Sequence, residues 1–340
     1  MRLSTLLKIL VTLLLLGFLA SQVDLATLSH VIGSASLAGL MMAVVIQLAN
    51  TLISVKRWQA ILVNFQIFTR FKDLTRLAFV GGFFNLFLPS SIGGDFFKAF
   101  YLARLEKRGM PTTLTSTFME RSGGLCALLI IGIVASSTSR LEVQEISLIW
   151  VFLAFSLVYL LANVALFNRQ LHASLTRFLH RFHLKNVEYK IELVSRGLTT
   201  LISNYKALAI ILGTSLVIQF LSVVLIWTCA RALRIEAPFT AFLVLVPLIN
   251  LSIMVPLTIN GLGLRESLYF LLFTQIGVDE EQAVALSLVQ AIVVMVAVSP
   301  GGVFYSMHKR SAEDIQEFQA SAGSREKDEA SLPEAGSTEP

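Results

Sequence analysis

Seven ionisable residues sit where an apolar chain has little reason to carry charge: Arg57, Asp95, Lys98, Glu120, Arg121, Arg265 and Glu266. A charge at membrane depth costs about 3 kcal/mol on insertion scales, so it persists when it is paired, hydrated or used. Asp95 and Lys98 are three apart, which places them on one helix face. They follow the glycine pair Gly93-Gly94. Arg265 and Glu266 follow a second glycine-rich turn, Gly261 to Gly263. Glycine turns open helices, and a helix amino end attracts anions. Cations beside two such ends suit a phosphate group. On this reading Lys98, Arg265, Arg57 and Arg121 are candidates to bind a phosphate group, and Asp95, Glu120 and Glu266 to orient them or carry protons. Structural roles stand beside these: an Asp95/Lys98 pair that locks a hairpin, an interfacial Glu120/Arg121 pair, helix capping by Arg265/Glu266, and an anchoring Arg57 beside Trp58.

The positioning elements are helices in a bilayer. The chain has 340 residues, 55% apolar and only 14% charged, with a mean hydropathy of +0.74. Soluble domains carry about 25% charge. Apolar runs of about 20 residues span the hydrocarbon core. The expected fold is an all-α polytopic membrane bundle of about six full spans with two opposed re-entrant hairpins. The spans are the amino-terminal run to Asp24 (or a signal peptide), Ser36 to Val55, Thr112 to Ala135, Ile146 to Phe167, Ala207 to Ala230, and Ala283 to Met307. Leu77 to Phe97 has basic flanks on both sides, so it should enter and leave on the cytoplasmic face. Pro89, Gly93 and Gly94 would form its turn. Phe239 to Ile276 should do the same from outside, turning at Pro256, Asn260, Gly261 and Gly263. Opposed broken elements are how inverted-repeat transporters build a shared midplane site. The bound anion would then lie between the two turns, where Asp95, Lys98, Arg265 and Glu266 are expected to converge. Residues 168–206 read as a basic cytoplasmic amphipathic segment, or else a solvated basic loop. Residues 311–340 read as a disordered cytoplasmic tail.

Catalytic signals are missing. His180 and His183 have no further ligands near them, Ser90 and Ser91 have no adjacent base, and no nucleotide-binding glycine loop occurs. The expectation is a non-enzyme without metal or cofactor, and nothing points to a nucleic-acid partner.

Two stretches carry a family likeness: FNLFLPSSIGGDFFKAFYLAR (Phe84 to Arg104) and VPLTINGLGLRES (Val255 to Ser267). They resemble the signature motifs of the flippase-like family, that of the lysylphosphatidylglycerol synthase transmembrane region. Arg57-Trp58 and Glu120-Arg121 fit its pattern too, and the likeness covers residues 5 to 310. Family members often carry arginine where this chain has Lys98, which replaces a forked donor by a point charge. The resemblance implies movement of a lipid between leaflets without the synthase domain. The expected function is translocation of an anionic phospholipid or lipid-linked envelope intermediate. The expected place is the inner (plasma) membrane, with a cytoplasmic carboxyl terminus and an envelope-lipid biosynthetic enzyme as a possible partner. The alternatives are an ion-coupled carrier of a small anion, and a non-transporting membrane partner of such an enzyme.

Overall fold

The computed structural model describes residues 3–87, 93–107, 109–139, 142–143, 146–167, 204–254, 257–258 and 261–307. Most of 168–206, all of 311–340, and the turn residues Pro89, Pro256 and Asn260 lie outside them. The described chain is helical apart from two-residue strands, Glu142–Val143 and Ile146–Ser147, paired antiparallel. The helices are α1 (Leu3–Gln22), α2 (Leu25–Gly33), α3 (Leu37–Asn64), α4 (Phe71–Phe87), α5 (Gly93–Leu105) and α6 (Met110–Ser139). They continue as α7 (Leu148–Phe167), α8 (Tyr205–Ala232), α9 (Phe239–Ile253), α10 (Leu264–Thr274), α11 (Glu280–Val298) and α12 (Pro300–Met307).

The all-helical membrane architecture is as expected. Among the described residues four helical runs are long and apolar enough to cross a membrane: α3, α6, α8 and Glu280–Ser306. The α1–α2 pair makes a fifth if taken as one span, and α7 and α9 contribute shorter apolar stretches. The expected first apolar segment, to Asp24, is α1; a further helix, α2, follows and meets it at 87°. Asp24 makes this corner: its carboxylate accepts from the amides of Ala26 and Thr27 and so starts a new helix. The second helix was expected to stop near Val55. It runs on to Asn64, because Trp58, Ile61 and Leu62, each fully buried, pack one face of its last turns into the interior.

Helices α3 and α8 form the spine. They pack antiparallel along their whole length, with Gly39 against Ala232, Asn50 against Ser222, Arg57 against Ser215 and Asn64 against Asn204. The absent side chain of Gly39 permits the crossing at one end, where a β-carbon would lie 2.8 Å from that of Ala232.

Each spine helix is followed by a helical hairpin and then a long helix. After α3 come α4–α5 and α6; after α8 come α9–α10 and α11. Both hairpins close. At the base of the first, Thr69 Oγ1 donates to Glu106 Oε1 at 2.7 Å. Near its tip, the Gly94 amide donates to Asn85 Oδ1 at 2.7 Å, and Phe84 stacks on Phe97. Gly94 has no room for a side chain, since a β-carbon there would strike the Gly81 carbonyl. In the second hairpin Phe242 near the base meets Phe273, with ring centroids 5.2 Å apart. Its tip folds Gly261 onto Ile253. Because the spine is antiparallel, the hairpin bases lie at opposite ends of the bundle. One element order thus occurs twice in opposite directions, without a visible sequence repeat.

Lys56, Arg70, Lys72, Arg76, Arg104 and Lys107 gather at the end that holds the first hairpin's base. Single cysteines introduced at Lys72 and Arg104, with Cys126 and Cys229 replaced, should therefore both react with an impermeant thiol reagent from one face only. Labelling from opposite faces would contradict the hairpin.

Candidate functional site

The interior charges meet on three helices. Arg57 comes from α3, Asp95 and Lys98 from α5, and Glu120 and Arg121 from α6. Arg57 lies seven residues before the end of α3, about 10 Å along the axis at 1.5 Å per residue. It was expected at the interface; with 7% exposure it is buried instead. The reason is that α3 does not end there.

Glu120 is the hub. Its Oε1 accepts from Ser54 Oγ at 2.7 Å and from Arg57 Nη2 at 3.2 Å. Its Oε2 accepts from Lys98 Nζ at 2.5 Å. Arg57 Nη1 donates to Ser215 Oγ at 2.9 Å. Its Nε is buried without a hydrogen-bond partner among the described residues. Glycines make this approach possible. A β-carbon on Gly123 would lie 3.2 Å from Ser215 Oγ, and one on Gly124 would lie 3.6 Å from Arg57 Nη1. Lys98 Nζ also sits 4.2 Å from the Trp58 ring centroid, a cation–π contact. Trp58 is fixed in turn by its indole N–H, which donates to Ser116 Oγ at 3.2 Å. A compact ammonium fits between carboxylate and ring, so the lysine acts here as a point charge.

Asp95 does not pair with Lys98 on its own helix. It accepts from Arg121 Nε at 2.5 Å. Two neighbouring ion pairs of opposite sense, Asp95–Arg121 and Lys98–Glu120, therefore clip α5 to α6. The first is half-exposed and the second buried. All five residues line one cavity of about 510 Å³.

Gly93 and Gly94 open α5 beside this cavity. Gly261 and Gly263 take φ of +77° and +78°, which glycine adopts freely and other residues do not. They turn the chain into α10. Arg265 and Glu266, expected to share a site with Asp95 and Lys98, are engaged elsewhere. Arg265 donates to Glu266 Oε1 through Nε at 3.1 Å and through Nη2 at 2.8 Å, and to Ser287 Oγ at 3.2 Å. Glu266 Oε2 accepts the Gly263 amide at 2.7 Å and so caps α10. Neither lines the cavity. The second hairpin reaches it through Asn250 of α9 and Met254 just past its end instead. The capping carboxylate satisfies the helix amino end, Arg265 neutralises it, and Ser287 of α11 bonds both, so this pair is spent where α10 meets α11.

Sequence reasoning missed the polar wall. Gln47, Asn50, Thr51, Ser54 and Arg57 recur at helical spacing along α3, and Ser215, Gln219 and Ser222 along α8. That periodicity marks one polar face on an otherwise apolar span, and it was readable from the spacing alone. Among the described residues, no group of three or more His, Cys, Asp and Glu side chains is placed to hold a metal ion.

No curated protein and no solved structure is significantly similar to the chain. The model of one family, described as the lysylphosphatidylglycerol synthase TM region, matches residues 5–302. That span contains both hairpins, both spine helices and every residue of the charged cavity. The family is one of envelope-lipid metabolism and translocation. The chain is an integral membrane protein that belongs to the lysylphosphatidylglycerol synthase transmembrane-region family.

Proposed function

We propose that the chain moves an anionic phospholipid, or a lipid-linked envelope intermediate, between membrane leaflets. The observation that carries this reading is the pairing of Arg57 and Lys98 inside an apolar bundle around a single carboxylate, Glu120. Two buried cations sharing one anion are under-neutralised, and a phosphate supplies the missing negative charge. The head group occupies the cavity while the acyl chains stay in the bilayer. No bond is made or broken; the chain is a carrier, and an envelope-lipid enzyme would supply its cargo. The basic end faces the cytoplasm in the inner membrane, by the bias of Lys and Arg toward that side, and the carboxyl terminus lies there too.

The test uses the full chain reconstituted into vesicles that contain labelled phosphatidylglycerol. Protein-dependent passage of the label to the opposite leaflet is the expected result. Uptake of inorganic phosphate without lipid passage would assign a small-anion carrier instead. Neither activity, from a folded protein, would leave a membrane partner of an envelope enzyme and end the transport reading.

A further inference from the structure

We infer that the basic base of the first hairpin is a docking surface for the chain's own acidic carboxyl-terminal segment, residues 311–340. Docking there does not depend on the transport of lipid. It ties the end of α12 to the hairpin that carries Asp95 and Lys98.

The surface lies where α4 begins and α5 ends. Arg70, Lys72, Arg76 and Lys107 are exposed there, close in sequence to Phe68, which is 74% exposed. Two carboxylates belong to the same base, and they do not neutralise it. Glu106 accepts from Thr69, and Asp73 lies 3.6 Å from Arg76 Nη1. Among the described residues Arg70, Lys72 and Lys107 have no ion-pair partner.

The segment is complementary in charge. Residues 311–340 hold eight of the chain's 22 acidic residues against two basic ones, Arg325 and Lys327. The cytoplasmic bias of Lys and Arg explains a basic membrane edge, but Asp and Glu contribute little to that rule. It therefore does not explain why acids gather here, whereas acid-rich tails commonly serve as interaction segments. Glu313, Asp314 and Glu317 flank Ile315 and Phe318, so acidic and apolar groups alternate as the cations and Phe68 do at the base. The chain also leaves the bundle at the right place. Helix α11 begins beside Asp24, whose amide donates to Glu281 Oε1 at 3.5 Å, at the end where α3 begins. With α12 it forms one run of 27 residues, Glu280–Ser306, about 40 Å at 1.5 Å per residue. That matches the 28 residues of α3, so α12 ends at the basic end. There it lies on α4, with the Phe304 ring 6.0 Å from that of Phe79. Lys72 is seven residues from Phe79, about 10 Å along α4, and Arg76 is closer. Glu313 follows Met307 by six residues, at most about 20 Å of extended chain. The first acids thus reach the cations of α4. Exposed ion pairs are individually weak, but so short a tether raises the effective concentration to the order of millimolar.

The experiment uses the full chain, with Cys126 and Cys229 replaced, in nanodiscs that contain phosphatidylglycerol. Spin labels on Leu105→Cys, an exposed position at the end of α5, and on Ala320→Cys report the separation of surface and segment by double electron–electron resonance. One short, narrow distance is expected at low salt. It should be lost at about 1 M salt, where the Debye length is about 3 Å. Glu313→Lys/Asp314→Lys/Glu317→Lys, which leaves the membrane domain unaltered, should lose it at low salt too. So should Lys72→Gln/Arg76→Gln/Lys107→Gln, which leaves the segment unaltered. A broad distribution at low salt would overturn the inference, as would a short distance that survives either set of substitutions or high salt. A short distance in nanodiscs of phosphatidylcholine alone, absent when phosphatidylglycerol is included, would also overturn it and assign the surface to anionic head groups.

Discussion

Glu120→Gln should destabilise the folded protein by roughly 3–5 kcal/mol, the usual result of removing one partner from a buried ion pair. The substitution keeps the shape of the side chain and an acceptor for Ser54. What it removes is the only negative charge among the described residues in contact with both Arg57 and Lys98. These two side chains are buried, so water cannot take over. The measurement is thermal or denaturant unfolding in a fixed detergent. The double variant Glu120→Gln/Lys98→Met restores the original net charge of the cluster and should recover more than half of the loss. A Glu120→Gln protein as stable as the parent would show that the cluster is hydrated in the membrane. The carboxylate would then be no structural hub.

The second large effect concerns transport. Arg57→Lys should lower the rate of lipid passage in vesicles by roughly 10- to 100-fold, because charged hydrogen bonds are worth about 1.5–3 kcal/mol each. The net charge of the cavity is unchanged by this swap, so a simple attraction for anions survives. Lost is the fork that reaches Glu120 and Ser215 together and still offers Nε. Arg265→Lys gives the contrast. Arg265 is held by Glu266 on its own helix and by Ser287 of α11 and lies away from the cavity lining, so passage should fall less than about threefold while thermal stability drops. Equal losses from both variants would return Arg265 to the binding site.

Much of the fold was legible because the bilayer makes sequence speak loudly. Apolar length marks spans, and glycine or proline inside them marks breaks. Basic residues on both flanks of α4–α5 identified a hairpin, and Thr69 bonded to Glu106 agrees with it. The site was half legible. Composition could say that Arg57, Asp95, Lys98, Glu120 and Arg121 were too expensive to be idle. It could not say which pairs with which. Spacing favoured Asp95 with Lys98, yet the pairing is decided between helices, by how α5 lies on α6. The error over Arg265 and Glu266 has a related cause. A glycine turn followed by an acidic residue can receive an anion or supply its own cap, and Glu266 reaching back to the Gly263 amide takes the second course. The length of α3 was misjudged because Lys56-Arg57 looked like a membrane edge, whereas Trp58, Ile61 and Leu62 carry the helix on into the packed interior.

The partners of Arg57 carry a consequence for how the protein is made. Glu120 lies 63 residues further along the chain, and Ser215 lies 158. At roughly 5–20 residues per second of synthesis, Glu120 is polymerised about 3–13 s after Arg57 and Ser215 about 8–32 s after it. During that interval the guanidinium belongs to a nascent helix with nothing to neutralise it. A position about 10 Å from the helix end lets the long side chain snorkel to the head groups while it waits. The same arginine is thus an interfacial anchor in the newborn chain and an interior ligand in the finished one, and the change of role coincides with the arrival of α6.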